Sequence, residues 1–217
     1  MSLYFISATD TNVGKSVITL SMALQAAALG KKVAIYKPIE SGQEGQLDSN
    51  FFKQYFSDVY VDYSFKDPVA PYIAAGLAGV SVDVNVIMQR VLTLQQSYDV
   101  VLIEGAGGLM VPIAENVLVV DLIVKLNCPV ILIAKNALGT INHTLLSCHL
   151  LQKLDIKLLG VIFNQLSANA DLASFSNLMM FEKFAQAKLL GVFPYLSNIN
   201  EASLKAQSPL PPNFWGE

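Results

Sequence analysis

Thr9-Asp10-Thr11-Asn12-Val13-Gly14-Lys15-Ser16 follows directly on the apolar run Leu3-Tyr4-Phe5-Ile6, and its reading decides the fold of this chain. A buried strand, a tight loop and a Gly-Lys-Ser opening a helix form a cradle for phosphates. Backbone N–H groups and the positive end of the helix dipole meet the anion. In such a loop the Lys reaches the outer phosphates and the Ser hydroxyl ligates Mg²⁺. The strict phosphate-loop pattern has Gly where this chain has Thr9, so the context carries the reading. Val17-Ile18-Thr19-Leu20-Ser21-Met22-Ala23-Leu24 continues as a helix, and Gly30 is placed to cap it.

Outward from this loop, short β-rich runs alternate with longer stretches of helical period. Strands are expected at 3–7, 33–37, 100–104, 130–134, 158–163 and 189–193. Helices are expected at about 15–29, 48–56, 83–97, 116–126, 140–153 and 171–186. This alternation predicts a doubly wound, mostly parallel α/β sheet flanked by helices, of the P-loop NTPase type, as one domain over 1–217. Ligands bind such sheets beyond the carboxyl ends of the strands, so the chemistry belongs in the loops that follow them. The tail Gln207-Ser208-Pro209-Leu210-Pro211-Pro212 cannot continue a helix and is expected to run over the surface.

The composition agrees with a compact domain. Of 217 residues, 53% are hydrophobic and only 14% charged, which predicts strands buried on both faces and some surface covered by a second subunit. A net charge of −3 gives no electrostatic case for binding nucleic acid or an anionic membrane. Asp121 and Lys125 interrupt the longest apolar candidate for a membrane span. Cys128 and Cys148 have no metal-ligand spacing and read as reduced core residues of a cytoplasmic protein, and Met1-Ser2-Leu3-Tyr4 lacks the basic start of a secretory signal.

Two further strand ends carry chemistry. In Lys37-Pro38-Ile39-Glu40-Ser41-Gly42, Pro38 keeps its predecessor extended and brings Lys37 to the site, where it can neutralise charge on a transferred phosphoryl group. Asp48 then precedes Ser49-Asn50-Phe51-Phe52 either as an N-cap or as a carboxylate for Mg²⁺, and residue types alone leave both roles open. In Val100-Val101-Leu102-Ile103-Glu104-Gly105-Ala106-Gly107-Gly108 an acid ends an apolar strand, the usual second anchor for Mg²⁺ beside a phosphate loop. The glycines after it admit a close backbone approach. A third loop, Leu138-Gly139-Thr140-Ile141-Asn142-His143, opens a helix whose free N–H groups suit an anion such as a carboxylate. His143 there reads as an ordinary helix residue.

Taken together, TDTNVGKS (9–16), KPIESG (37–42), EGAGG (104–108), LGTINH (138–143) and the Asn164 and Pro194 regions resemble the dethiobiotin synthetase family, in order and over nearly the whole chain. The resemblance implies a homodimeric P-loop-type enzyme of biotin biosynthesis. Such an enzyme carboxylates 7,8-diaminononanoate with CO₂ and closes a cyclic urea at the expense of ATP, with Mg²⁺. It implies Lys15 and Lys37 as the residues that stabilise phosphate and transition-state charge, and Ser16, Asp48 and Glu104 as holders of Mg²⁺, with Asp58 and Asp62 as alternatives to Asp48. Asn12, Val13, Gly14, Lys15, Ser16 and Val17 would wrap the phosphates, with Asp48, Glu104, Gly105, Ala106 and Gly107 on the same side of the nucleotide. Asn164, Gln165, Pro194, Tyr195, Leu196 and Glu201 would surround base and ribose. Thr11 and Ser41 would contact the diamine or its carbamate, and Leu138, Gly139 and Asn142 its terminal carboxylate across the dimer interface.

The chain departs from the family pattern in places. Ala8 replaces a common Gly, Asn12 a frequent Glu, Ser16 a Thr, and Tyr72 a common His. Other classes that share such a sheet are the partition and cell-division switch ATPases and non-catalytic regulatory copies of the domain. The former usually carry an extra Lys early in the loop, which Ala8-Thr9-Asp10 lacks. The latter have no need of Lys15, Lys37 and Glu104.

Overall fold

The computed structural model describes residues 2–43, 45, 47–169, 171–207, 210 and 212–215. Strand β1 (Ser2–Ala8) leads through the phosphate loop to helix α1 (Lys15–Ala28) and on to β2 (Val33–Ser41). Helix α2 (Asp48–Lys53), strand β3 (Val59–Phe65) and helices α3 (Pro71–Leu77) and α4 (Val84–Ser97) precede β4 (Val100–Gly108). A small hairpin, β5 (Pro112–Ala114) and β6 (Val117–Leu118), then opens α5 (Val119–Leu126). Strand β7 (Val130–Lys135), α6 (Thr140–Lys153), β8 (Leu158–Asn164), α7 (Leu172–Phe184), β9 (Leu189–Phe193) and α8 (Glu201–Ala206) complete the chain, apart from a 3-10 turn at Pro212–Trp215.

Seven parallel strands form one sheet in the order β3-β2-β4-β1-β7-β8-β9. The doubly wound parallel architecture expected from the alternating period is the one observed. Successive β1 side chains enter opposite layers: Phe5 packs with Ile87, Val91 and Ile123, whereas Ile6 packs with Ile18, Met22 and Ile133. Strand β1 lies between β4 and β7, so the winding reverses there and leaves a crevice at its carboxyl end.

Sequence expectation and structure part at several points. Strand β3 has no unbroken apolar run, because it is the sheet edge: Asp62 and Ser64 alternate with half-buried Tyr63 and buried Phe65. Helices α3 and α8, of seven and six residues, are too short for a periodic signal. The helix expected from 116 begins at Val119, since Asn116 takes a left-handed φ of 55° in the hairpin turn and Leu118 N–H donates to the Asp121 carboxylate at 2.8 Å. The tail does not simply run over the surface. Leu210 and Trp215 are buried beside α1, Trp215 Nε1 donates to Gln25 Oε1 at 3.2 Å, and Phe214 and Trp215 pack on Tyr4. Proline blocks a helix there but not apolar burial; Ser208, Pro209 and Pro211 lie outside the described residues.

Both cysteines are free and buried, and burial pushes the Cys128 thiol up to about 12 and the Cys148 thiol to about 11. Among the described residues no helix is long and apolar enough to cross a membrane.

Candidate functional site

The loop between β1 and α1 is shaped by two left-handed residues, Asn12 (φ 57°) and Gly14 (φ 88°). Gly14 is the N-cap of α1, no side chain caps that end, and no acid lies in the first turn, so its N–H groups remain for an anion. A Cβ on Gly14 would also collide with the side-chain amide of Asn164, which donates to Val13 O at 2.8 Å. That bond ties the end of β8 to the phosphate loop.

Lys15 is 8% exposed. Burial first, then the neighbouring Lys37 ammonium, lowers it to about 8 despite Glu104, Asp48 and Asp10 nearby. Register explains what surrounds it. Tyr36 pairs with Ile103 between β2 and β4, which sets Lys37 and Glu104 side by side where the pairing of the two strands stops; both strands run on, to Ser41 and Gly108, past the ends expected at 37 and 104. Lys37 Nζ lies 2.8 Å from Glu104 Oε1 and 2.6 Å from Asp48 Oδ2, and donates to Gly105 O at 3.1 Å. Ser16 Oγ lies 2.6 Å from Asp48 Oδ1 and 3.0 Å from Glu104 Oε1, and Thr19 Oγ1 donates to Glu104 Oε2 at 2.6 Å. Burial by itself lowers Lys37, but Glu104 and Asp48 more than reverse this and hold it well above the ordinary lysine value. Burial by itself raises Asp48, and the Lys37 ammonium with the Ser16 hydroxyl brings it below the usual carboxylate range.

Asp48 is the first residue of α2 and not its N-cap, which is Leu47. Its carboxylate turns toward Ser16 and Lys37. Asp62 accepts instead from Tyr36 and Arg90, and Asp58 from Tyr98, so neither alternative joins this cluster. The donor set of Ser16, Asp48 and Glu104 is a hydroxyl and two carboxylates, the hard oxygen chemistry that suits Mg²⁺. A cation already stands where these oxygens converge, since Lys37 bridges the two carboxylates.

Residues 105–108, expected as a turn, instead extend β4, and Gly108 packs against the backbone of Ala8 and Thr9 where the phosphate loop begins. A Cβ on Gly105 would come within 2.8 Å of the Phe5 ring, and one on Gly107 (φ +64°) within 2.8 Å of Val111. Ala106 is half-buried on the same strand. Thr11 is exposed in the loop, and Ser41 Oγ donates to Val69 O at 2.7 Å.

Leu138, Gly139 and Asn142 lie at the start of α6, which again has an uncapped N-terminus and a left-handed glycine, Gly139, as N-cap. Among the described residues no hydrogen bond or ion pair joins these three residues to the Lys37 cluster. The chain just before them is tied instead to β8 and α7 through buried Asn136. Its amide donates to Gln165 Oε1 and to Ser174 O, both at 3.1 Å, and its Oδ1 accepts from Asn177 at 3.0 Å. Gln165 N–H donates to Phe193 O at 2.8 Å, which sets the end of β8 beside Pro194, Tyr195 and Leu196. Glu201 is exposed and pairs with Lys205 at 2.6 Å.

Several residues of this arrangement were not read from the sequence: Thr19, Glu40, Asn136, Ser174 and Asn177. Thr19 had a signal, lying one turn beyond Ser16 on the same face of α1. The others are polar residues whose burial follows from long-range packing. A cavity of about 440 Å³ lies away from this site, between α6 and the end of α7, lined by Cys148, His149, Gln152 and Phe184.

A family model described as an AAA domain matches residues 3–203. An ATP-dependent dethiobiotin synthetase BioD of Lysinibacillus sphaericus is 38% identical over 177 residues, 76% of each chain. The protein of the same name from Bacillus subtilis is 31% identical over 209 residues, 93% of this chain and 90% of its own. Among solved structures, the septum site-determining protein MinD with Mg-ADP from Pyrococcus horikoshii superposes with a TM-score of 0.62 at 16% identity, covering 99% of this chain and 88% of that one. A ParA family ATPase from Chlorobium tepidum gives 0.58 at 10% identity, covering 96% and 90%. These two likenesses speak to fold alone.

Proposed function

As the chain belongs to the ATP-dependent dethiobiotin synthetase family, we propose that it converts 7,8-diaminononanoate and CO₂ to dethiobiotin, releasing ADP and phosphate. The observation that carries this reading is the cluster of Lys37, Glu104, Asp48 and Ser16 against the uncapped start of α1.

One amine of the diamine adds to CO₂ and loses a proton, giving a carbamate. A carbamate oxygen attacks the γ-phosphorus, and the bond to the β–γ bridging oxygen breaks to release ADP. The second amine attacks the carbonyl of the mixed anhydride, phosphate leaves, and the urea ring closes. Phosphoryl transfer asks for positioning and charge stabilisation more than for a side-chain nucleophile. Lys15 and the free N–H groups of α1 bind the phosphates. Lys37 stands where β2 parts from β4, at the place where negative charge moves between carbamate and leaving group, held there by Glu104 and Asp48. Ser16, Asp48 and Glu104 would hold Mg²⁺, which when bound neutralises charge on the β- and γ-oxygens. Asn164 is fixed through one of its two amide N–H groups, which leaves its Oδ1 and the second N–H to read a base. Thr11 and Ser41 border the place for the amines.

The reading of Leu138, Gly139 and Asn142 as a carboxylate site requires a cover for the aliphatic chain of the substrate, worth about 0.8 kcal/mol per CH₂ buried. A second copy of the chain supplies it. Exposed apolar side chains support this pairing: Leu138 is 85% exposed, and Leu172, Phe175 and Met179 are 85%, 67% and 71% exposed at helical spacing along α7. Mixing chains carrying Lys37→Ala with chains damaged at Asn142 is then expected to restore activity through hybrid dimers; strictly monomeric, fully active protein in sedimentation under assay conditions excludes the shared site. Reduced, buried cysteines and the small-molecule substrates fit a cytoplasmic enzyme.

Phosphate release from ATP, Mg²⁺ and bicarbonate tests the reaction. Release that depends on the diamine and matches urea formation is expected; equal release without the diamine overturns it and favours a switch ATPase.

A further inference from the structure

Glu40 is a buried carboxylate, 3% exposed, that the reaction above does not use. Its oxygens accept three hydrogen bonds: from Ser49 N–H at 3.0 Å, Ser49 Oγ at 2.7 Å and Ser64 Oγ at 3.1 Å. Ser64 is its register partner on β3. Among the described residues no Lys or Arg forms an ion pair with it. Burying a carboxylate without a cation is costly, and an apolar side chain would fill the place more cheaply. What an acid supplies here is a pair of acceptors at one location.

That location is the start of α2. The N-cap of this helix, Leu47, has no side-chain oxygen, and its carbonyl serves the N–H groups of Asn50 and Phe51, which leaves that of Ser49 to another acceptor. Glu40 reaches across from β2 and accepts the N–H of Ser49, as an N-cap side chain would. Ser49 follows Asp48, so the bond that fixes Ser49 also fixes the direction in which Asp48 leaves the helix. Strand β2 therefore grips α2 twice, at Asp48 through Lys37 (2.6 Å) and at Ser49 through Glu40. The two grips differ in kind. Lys37 is shared between Asp48, Glu104 and the migrating charge of the reaction, whereas Glu40 has no part in that reaction and serves α2 and Ser64 alone.

We propose that Glu40 is a positioning residue that holds the Asp48 carboxylate against Ser16 by capping α2 from the neighbouring strand. This rests on Asp48 serving as a Mg²⁺ ligand. Partners that orient metal ligands from behind are typically worth about 10- to 100-fold in metal affinity.

The test is calorimetric titration of the full-length protein with ADP, in Mg²⁺ and in EDTA, for Glu40→Gln and for the milder Ser49→Ala, with thermal unfolding alongside. Both variants are expected to lose about 10-fold or more of the ADP affinity that Mg²⁺ adds, with affinity in EDTA unchanged because the phosphate loop is intact. Glu40→Gln combined with Asp48→Asn is expected to behave as Asp48→Asn alone. Lower thermal stability with an unchanged Mg²⁺ contribution, or an equal loss with and without Mg²⁺, overturns the proposal. If Asp48→Asn itself leaves the Mg²⁺ contribution intact, the metal reading of Asp48 has failed, and the role of Glu40 falls with it.

Discussion

Helices α1 and α6 begin in the same way. Each has a glycine N-cap with φ of 88°, no capping side chain and no acid in its first turn. Around α1 the chain buries Lys15, Lys37 and Glu104, and joins the last two with Asp48, Ser16 and Thr19 into one network that Lys15 feels through its charges. Around the start of α6 it buries only neutral groups, Asn136, Thr140, Ser174 and Asn177, and leaves Leu138 and Asn142 open. The backbone device is shared, but the surroundings follow the charge each end serves. At α1 the charge moves during the reaction, and fixed charges held away from water act most strongly on it. At α6 the proposed ligand is a substrate carboxylate, which would keep its charge throughout and ask only for N–H groups and a cover for its apolar chain.

This contrast breaks most sharply at Lys37. Lys37→Ala is expected to lower diamine-dependent phosphate release by about 100-fold or more, equivalent to about 3 kcal/mol of barrier. Glu104 and Asp48 then face each other without their cation, so melting should fall, and Mg²⁺ should raise it more in the variant than in the parent. Turnover within a few-fold of the parent removes Lys37 from the mechanism.

Glu104→Gln removes one carboxylate while keeping shape. About tenfold more Mg²⁺ is expected for half-maximal rate, with partial recovery at high Mg²⁺. An identical Mg²⁺ dependence in variant and parent shows that the carboxylate is not at the metal.

The charge-moving end should also respond to pH in a way the α6 end does not. Lys15 lies at about 8 in the folded protein against 10.5 ordinarily, so the unfolded chain holds the extra proton between those values. The cost of its buried charge is therefore present below pH 8 and relieved toward 10.5. For binding the sign is opposite, because neutral Lys15 attracts phosphate less. ADP affinity by calorimetry should fall between pH 7 and 9, by at most about tenfold, and an affinity that stays flat or rises contradicts the assignment.

The smallest effect is expected at the neutral end. Asn136→Ala removes the link between Gln165, Asn177 and the α6 loop and leaves buried polar groups unpaired, at about 1–3 kcal/mol of stability. The KM for the diamine should rise several-fold with kcat nearly kept. A fall in kcat with unchanged KM places Asn136 in the chemistry instead.

Legibility followed the same division. The central strands β1, β4 and β7 announced themselves because both their faces are buried, and the phosphate loop because its residues act through local backbone geometry. Edge strand β3 did not, since an edge keeps one side half-wet and mixes Asp62 and Ser64 among its apolar residues. Nor did the tail, where Pro suggested exposure while Leu210 and Trp215 found an open flank of α1. Glu40 was visible as a letter in KPIESG, but nothing in the letters says that it is buried or that Ser49 is its partner.

By itself the sequence determined the strand-loop-helix at 9–16, the lysine and acid on two further strands, and the parallel sheet that gathers strand ends on one side, all consequences of short-range pattern; that β2 and β4 run on past Lys37 and Glu104 it did not show. Only the tertiary structure decided that Asp48, rather than Asp58 or Asp62, meets Ser16, that Lys37 sits between two carboxylates, and that Asn164 clamps the loop at Val13. Those pairings depend on the register of β2 against β4 and on how α2 docks onto β2. Register and docking are set by packing between segments far apart in the chain, so a list of residues at one end of the sheet becomes a charged site only when that packing closes.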